Sequence, residues 1–333
     1  MTSTARPSKP KIIVTRRLPE GTEARLTELF PDVELAQGEG ITDKAGLVDA
    51  AARCDILVPT VIDHVDADVL AAGAGRLKLI ANFGNGVDHI DLPAARRAGV
   101  IVTNTLGVLT EDTADMTMAL ILSVPRRLAE GEKLVRSGDW GGWSPGAMLG
   151  HRITGKRLGI IGMGRIGQAV ARRALAFGLT ISYHNRHRLP AVVEQELAAT
   201  WEADLDRLLI RSDIVSIHCP HTAETEHLLD ARRIGLLGPQ SYLINTARGE
   251  IVEEKALIDR LERGEIGGAG LDVFEREPLV DPRLLALDNV VLLPHMGSAT
   301  FEGRAATGER VIAAIRQWLD GDRPRDQVLE GWA

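Results

Sequence analysis

The most constraining feature of the sequence is the stretch Gly155–Gly178, which reads GKRLGIIGMGRIGQAVARRALAFG. Leu158–Ile161 is an apolar run long enough for a buried strand and too short for a helix. The glycines that follow, Gly162, Gly164 and Gly167, have the spacing G-x-G-x-x-G. Between a strand and a helix, the first glycine permits a tight turn, the second lets backbone approach a pyrophosphate, and the third lets the helix pack closely. The stretch therefore predicts a dinucleotide site; the alternative is a glycine-rich turn that binds nothing.

A helical pattern follows this turn, from about Arg165 to Phe177. Its predicted packed face consists of Ile166, Val170, Ala174 and Phe177. The N-terminus of such a helix offers free N–H groups and a positive dipole end to phosphates. A second apolar strand then completes a βαβ unit.

Composition limits the class of protein. A chain of 333 residues predicts two domains, and 44% hydrophobic residues suffice for large cores. The apolar residues are mostly aliphatic, with 4% aromatic residues, which suits buried parallel strands. A net charge of −7 without a long basic stripe argues against nucleic acid as a partner. No apolar run approaches the length of a membrane span, and we expect no membrane partner.

The two cysteines, Cys54 and Cys219, lie far apart and each adjoins a buried-looking strand. They suit a reducing cytoplasm and do not form a metal-binding pair. We therefore expect a cytoplasmic protein without a bound metal.

Short strands and helices alternate along the whole chain, which predicts α/β architecture with parallel sheets covered by helices. Thr113–Arg136 reads as a long apolar helix that Pro125 should kink or split. The Gly-rich loop Ser137–Gly150 follows and carries Trp140 and Trp143, which should pack on a neighbouring subunit or at the mouth of a site.

The residues after the second strand of the nucleotide unit bear on the choice of cofactor. An NAD-specific unit places an acid near this point to bind the ribose 2′-hydroxyl. This chain has Asn185, Arg186, His187 and Arg188 instead. Arginine pairs with a 2′-phosphate that an acid would repel, so we predict NADP(H) as the preferred cofactor, with NAD(H) possible. The alternative is that Arg186 and Arg188 are ordinary surface residues.

Three ionisable residues, Arg248, Glu277 and His295, follow consecutive late strands, whose ends converge in a doubly wound sheet. Arginine suits a substrate carboxylate, because its planar fork binds two oxygens. Histidine suits proton transfer, and a carboxylate bonded to it orients the ring. From spacing alone Arg248 could be a surface residue, His295 a core residue, and Glu275 could replace Glu277.

Several stretches together resemble the D-isomer-specific 2-hydroxyacid dehydrogenase family. They occur in the family's order over nearly the whole chain, and they are NFGNGVDHID, GKRLGIIGMGRIGQAVARR, SIHCPHTAETEHLL, LINTARGEIVEEKAL, AGLDVFEREP and LLPHMGSAT. Within the family, HNRHR and WGGWSP are most similar to bacterial glyoxylate/hydroxypyruvate reductases.

The resemblance implies two Rossmann-like doubly wound domains, a flavodoxin-like substrate domain and an inserted nucleotide-binding domain. The expected bounds are 1–105 plus 299–333 for the substrate domain and 106–298 for the nucleotide-binding domain. It also implies a homodimer joined through the long helix.

The resemblance implies that Arg248 binds substrate and that Glu277, rather than Glu275, partners the catalytic His295. The substrate carboxylate is expected on the backbone of Asn85 and Gly86. Asp272 and Thr113 are expected near the nicotinamide. The full set of predicted cofactor contacts is Thr113, Gly162, Gly164, Arg165, Ile166, Gly167, Asn185, Arg186, His187, Cys219, Pro220, Thr225, Thr246, Ala247, Asp272 and Gly297.

The resemblance, together with the basic residues after the second strand, implies NADPH-dependent reduction of a small 2-keto acid, glyoxylate or hydroxypyruvate. An NAD-dependent dehydrogenase of another specificity is an alternative. So is a formate dehydrogenase, which YHNRHRLP…EQEL resembles, although that branch has Gln at the position of Glu277. A third alternative is an NAD(H)-sensing corepressor. Such proteins can retain the three ionisable residues, so the presence of these residues does not distinguish the two interpretations.

Overall fold

The computed structural model describes residues 9–38, 40–41 and 43–329. It divides into two compact units, each considered by itself. The first comprises residues 1–109 and 299–333, and the second comprises residues 110–298.

The strands and helices alternate in both units. In chain order the strands are β1 Ile12–Val14, β2 Val33–Glu34, β3 Ile56–Val58, β4 Leu79–Ala81, β5 Ile101–Thr103, β6 Arg157–Ile161, β7 Thr180–His184, β8 Ala199–Trp201, β9 Ile214–Ile217, β10 Tyr242–Asn245, β11 Gly268–Leu271 and β12 Val290–Leu292. The helices are α1 Glu20–Leu29, α2 Lys44–Arg53, α3 Ala67–Ala72, α4 Leu92–Arg97, α5 Thr110–Ser123, α6 Leu128–Ser137, α7 Arg165–Ala176, α8 Ala191–Glu196, α9 Leu205–Arg211, α10 Ala231–Ile234, α11 Glu254–Glu262, α12 Pro282–Ala286 and α13 Phe301–Leu319.

Side-chain caps define where many helices begin. The carboxylates of Asp43, Asp66 and Asp91 accept N–H groups in the first turns of α2, α3 and α4. The hydroxyl of Thr300 accepts the N–H of Gly303 at the start of α13. Each cap satisfies an N–H group that the helix itself leaves without a partner.

The first unit contains a five-stranded parallel sheet in the order β2-β1-β3-β4-β5. This is the flavodoxin-like order, which the family resemblance implied for this domain. The chain returns to the unit in α13, whose Val311, Ile312, Ile315 and Trp318 join the core that covers one face of the sheet. A core built around Leu57 and its neighbours covers the other face.

The second unit contains a seven-stranded parallel sheet in the order β12-β11-β10-β9-β6-β7-β8. Successive strands run outward from β6 on one side and from β9 on the other, as in a doubly wound dinucleotide-binding fold. Ligands bind such sheets at the carboxyl ends of the strands where the order reverses. In this sheet the order reverses between β6 and β9, so the ends of these two strands mark the expected ligand crevice.

The long apolar helix is split, as Pro125 predicted, into α5 and α6. Their environments differ: six residues of α5 are buried, whereas α6 buries none. Prediction of the packed face of α7 was wrong at one position. Phe177 is 45% exposed, and it lies at the C-cap, one residue beyond the end of the helix at Ala176.

Candidate active site

The glycine-rich turn after β6 has three glycines with three different environments. Gly162 has φ of 94°, and a Cβ there would clash with the backbone of His218 and Cys219 at the end of β9. A Cβ on Gly167 would clash with the carbonyl of Gly162. A Cβ on Gly164 would meet nothing within 4 Å. The first and third glycines therefore permit close packing, and the second faces open space at the start of α7.

Asn185 holds this turn from the end of β7. Its side-chain oxygen accepts the backbone N–H of Met163 at 2.7 Å. Its own backbone oxygen accepts the indole N–H of Trp201, at the end of β8, at 3.3 Å. Sequence reasoning placed Asn185 near the cofactor but missed this bond, because an Asn gives no signal of which backbone group it will meet.

Arg186, His187 and Arg188, which follow Asn185, have different surroundings. Arg188 forms an ion pair with Glu194 at 2.8 Å, and the hydroxyl of Tyr183 donates to the same carboxylate at 2.7 Å. Arg186 and His187 are exposed. A hydrogen bond from the Thr222 hydroxyl is the largest cause that lowers the pKa of Glu224, and the charge of Arg186 lowers it further.

The loop after β9 is held mainly by its own groups. The hydroxyl of Thr225 donates to the carbonyl of Pro220 at 2.7 Å and accepts the N–H of Thr222 at 2.8 Å. Burial raises the pKa of the Cys219 thiol to about 11, so the sulfur is an uncharged thiol at neutral pH.

Thr113 and Thr246, two of the predicted cofactor contacts, are linked through Thr117, a residue that the sequence analysis did not single out. The hydroxyl of Thr117 donates to the backbone oxygen of Thr113 at 2.7 Å and lies 2.8 Å from the hydroxyl of Thr246. Thr117 is fully buried. It therefore ties the start of α5 to the end of β10, where Ala247 follows Thr246.

Asp272 shapes the turn after β12. Its carboxylate is 1% exposed and accepts the N–H groups of Met296 and Gly297, each at 2.7 Å. Burial is the largest influence on the pKa of Asp272 and raises it, against the opposing effect of these two hydrogen bonds. The turn also places His295 in the left-handed region, with φ of 51°.

Glu277 and His295 form a direct pair. Nδ1 of His295 lies 2.8 Å from Oε2 of Glu277, and Oε1 of Glu277 accepts the N–H of Phe274 at 3.0 Å. Burial alone would raise the pKa of Glu277, but the hydrogen bond from His295, the His295 charge, the Phe274 N–H and the Arg248 charge together lower it. The glutamate is thus a carboxylate at neutral pH, bonded to the histidine ring.

Arg248 follows β10, and its backbone is fixed by Asn245. The side-chain amide of Asn245 donates to the Arg248 carbonyl at 2.8 Å and accepts the N–H of Ala247 at 3.0 Å. One guanidinium nitrogen of Arg248 donates to the carbonyl of Ala247 at 2.8 Å. The structure thus places Arg248 in the same unit as the Glu277–His295 pair. The carboxylate of Glu275, the rival of Glu277, accepts the N–H of Glu254 instead.

Asn85 and Gly86 belong to the first unit. The side-chain amide of Asn82 donates to the carbonyl of Gly86 at 2.9 Å, and that of Asn104 donates to the carbonyl of Asn85 at 2.8 Å. His89 in turn lies 3.1 Å from the side-chain oxygen of Asn82. The loop after β4 is therefore tied down through its carbonyl groups.

The described residues contain no group of three or more His, Cys, Asp or Glu side chains that could hold a metal ion. Among the helices in the described ranges, none combines the length and the apolar character needed to cross a bilayer.

Residues 118–297 match the family model described as D-isomer specific 2-hydroxyacid dehydrogenase, NAD binding domain. The chain belongs to this family of oxidoreductases. It is 43% identical to a glyoxylate reductase of Thermococcus litoralis, over 96% of this chain and 97% of the relative. It is 44% identical to a glyoxylate reductase of Thermococcus onnurineus, over 95% of each chain.

Solved structures give the same result. An NADPH-dependent glyoxylate/hydroxypyruvate reductase of Sinorhizobium meliloti, in complex with NADP and malonate, superposes with a TM-score of 0.87. It is 34% identical, and the match covers 97% of this chain and 98% of that one. The fold, the family and a nicotinamide cofactor are thereby supported together.

Proposed function

We propose that the protein reduces glyoxylate or hydroxypyruvate to the corresponding 2-hydroxy acid, glycolate or D-glycerate, with NADPH preferred over NADH. The observation that carries the proposal is the 2.8 Å pair between Glu277 and His295, in a unit where Arg248 also acts on Glu277. The relatives named glyoxylate reductase support the substrate class.

The residues of the turn after β6 fit a dinucleotide. The open space at Gly164 admits a bulky anionic group beside the N-terminus of α7, where N–H groups and the helix dipole favour phosphate. We assign the remaining contacts to Arg165, Ile166 and the residues that follow β7, β9, β10, β11 and β12. Arg186 is the proposed partner of a 2′-phosphate, because Arg188 is paired with Glu194.

The proposed chemistry divides between a hydride and a proton. A nicotinamide cofactor held at this site would supply the hydride for the carbonyl carbon. Since Nδ1 of His295 bonds Glu277, Nε2 is the nitrogen that gives the proton to the carbonyl oxygen. The Glu277 carboxylate stabilises the charged ring before that transfer, and it keeps the ring oriented.

Arg248 has two roles in this proposal. Its guanidinium binds the substrate carboxylate, for which its planar fork is suited. Together with His295 it also stabilises the negative charge that develops on the carbonyl oxygen. The predicted contribution of the Asn85 and Gly86 backbone stays a proposal that rests on the family resemblance.

A second copy of the chain is the proposed partner. α6 and the following loop leave large apolar side chains exposed, among them Val135 at 60% and Trp143 at 83%. A homodimer through this segment would cover them. Light scattering of the purified protein tests this, and a monomer at micromolar concentration would contradict it.

The function is tested by initial rates with glyoxylate, hydroxypyruvate, pyruvate and phenylpyruvate, each with NADPH and with NADH. We expect fast reduction of glyoxylate and hydroxypyruvate, and higher kcat/KM with NADPH. Tight cofactor binding without turnover of any of the four acids would overturn the proposal.

A further inference from the structure

Glu254 and Glu275 hold each other by two reciprocal hydrogen bonds. The carboxylate of Glu275 accepts the backbone N–H of Glu254 at 3.1 Å, and the carboxylate of Glu254 accepts the backbone N–H of Glu275 at 3.2 Å. We name this arrangement the Glu254–Glu275 clasp. It joins two segments that are 21 residues apart in sequence.

The clasp has a physical reason at each end. Glu254 is the first residue of α11, so its N–H has no partner within the helix, and the Glu275 carboxylate lies at the positive end of the helix dipole. The other oxygen of Glu275 lies 3.5 Å from Nε2 of His227. Burial raises the pKa of Glu254, and the charge of Glu275 raises it further, against the effect of the Glu275 N–H.

The two segments that the clasp joins carry two of the proposed functional residues. Gly249, next to Arg248, packs so closely on Phe274 and Glu275 that a Cβ would clash with their backbone. The N–H of Phe274 donates to Glu277, whose other oxygen bonds His295. The backbone at Phe274–Glu275 therefore connects the Arg248 segment to the Glu277–His295 pair.

We propose that Glu254 and Glu275 are positioning residues that fix Glu277, and through it His295, relative to Arg248. Neither carboxylate is assigned a contact with substrate or cofactor. The clasp holds the N–H of Glu275, and the neighbouring N–H of Phe274 holds the Glu277 carboxylate. Loss of the clasp should therefore let the Glu277 carboxylate move relative to the His295 ring. This inference rests on the proposed function for the roles of the three residues.

The matched control is Glu253, which precedes Glu254. Its carboxylate accepts the N–H of Ala231 at 2.8 Å, so Glu253→Ala also removes a bond between a carboxylate and a backbone N–H in the same unit. Glu253 makes no hydrogen bond to the 274–277 segment among those found for the described residues. A loss of stability alone should affect both variants alike.

The kinetic test compares Glu254→Ala, Glu254→Gln and Glu253→Ala with the full-length protein. We expect Glu254→Ala to lower kcat for glyoxylate by about tenfold or more, since small displacements of reacting groups are costly. Glu254→Gln keeps an oxygen that can accept the Glu275 N–H, and it should recover most of the rate. Equal kcat values in Glu254→Ala and Glu253→Ala would overturn the inference.

A second measurement does not depend on turnover. The Nδ1 proton of His295, bonded to Glu277, should give a downfield proton resonance that is identified by its loss in His295→Ala. We expect this resonance to broaden in Glu254→Ala and to persist in Glu253→Ala. An unchanged resonance in Glu254→Ala would overturn the positioning role even if the wild-type chain reduced no keto acid, in which case the proposed function would fail separately.

Discussion

The backbone oxygen of Asp272 accepts the N–H of His295 at 2.8 Å, so the residue that directly follows β11 fixes the residue proposed to transfer the proton. The same aspartate also accepts the next two N–H groups of the turn through its carboxylate. His295 has a left-handed backbone conformation, which costs a non-glycine residue of order 1–3 kcal/mol. Three bonds to a single buried residue offset that cost.

Asp272→Asn should therefore disturb both stability and activity. An amide has one acceptor oxygen, and its NH₂ group would face one of the two backbone N–H donors. A buried donor without a partner costs about 1–3 kcal/mol, so we expect a loss of that size in the free energy of unfolding, measured in urea, together with a lower kcat. Asp204→Asn, at the cap of α9, is the control and should change neither, because Asn caps helices well.

His295→Ala should remove the proton donor and leave cofactor binding intact. General acid catalysis contributes about 10²–10⁴-fold, so kcat with glyoxylate should fall by that factor. The dissociation constant of NADPH, measured by fluorescence titration, should change little. Near-normal turnover in this variant would remove His295 from the mechanism.

The three glycines of the turn after β6 should respond differently to alanine. Gly162→Ala meets both a left-handed φ and a backbone clash at the end of β9, so we expect poor folding. Gly164→Ala has room for its methyl group in the free protein, so the melting temperature should stay near wild type. The methyl group would fill the space assigned to the pyrophosphate, and NADPH affinity should fall at least tenfold. Wild-type affinity in Gly164→Ala would place the dinucleotide elsewhere.

Arg186→Ala should weaken NADPH much more than NADH, because only NADPH carries a 2′-phosphate. A charge-assisted bond of about 1.5–3 kcal/mol corresponds to a loss of roughly tenfold to a hundredfold in affinity. Arg188→Ala is the internal comparison: its guanidinium is paired with Glu194, so the ratio of the two affinities should hold. An equal effect of Arg186→Ala on both cofactors would contradict the assignment.

His218 should make the protein sensitive to mild acid. Burial lowers the pKa of His218 from 6.5 to about 3, and its Nε2 lies 2.8 Å from the hydroxyl of Ser216. Between pH 6.5 and about pH 3 the unfolded chain binds a proton at His218 that the folded chain does not. The free energy of unfolding therefore falls as the pH falls through this range. Linkage gives about 2 kcal/mol lost between pH 7 and pH 5.

Urea unfolding at the two pH values tests this. The fall in the free energy of unfolding between pH 7 and pH 5 should be smaller in His218→Gln than in the wild type. In His187→Gln, where an exposed ring is replaced, it should equal that of the wild type. The same pH dependence in all three proteins would show that His218 does not cause it.

The sequence was sufficient for those features that local pattern encodes. The glycine-rich stretch predicted the strand, turn and helix now seen as β6 and α7, and Pro125 predicted the break between α5 and α6. The pairing of Glu277 with His295 was expected through family resemblance, since spacing alone left Glu275 as a rival.

What was missed depends on tertiary neighbours. β8 is an edge strand of three residues without a buried position, so it lacks the apolar run that reveals a central strand. α8 went unrecognised too, and with it Glu194, the partner that distinguishes Arg188 from Arg186. The Glu254–Glu275 clasp joins two acidic residues, and no propensity rule predicts that each will accept the other's N–H.

The return of α13 to the first unit has a consequence for biosynthesis. Residues 110–298 form a unit from one continuous segment, all of which is synthesised before α13. Until then, the strands β1–β5 lack the α13 side chains, among them Ile315 and Trp318, that cover one face of their sheet. The order of synthesis thus delays the completion of this core until α13 emerges, and the nascent chain exposes apolar side chains of β1–β5 during that interval.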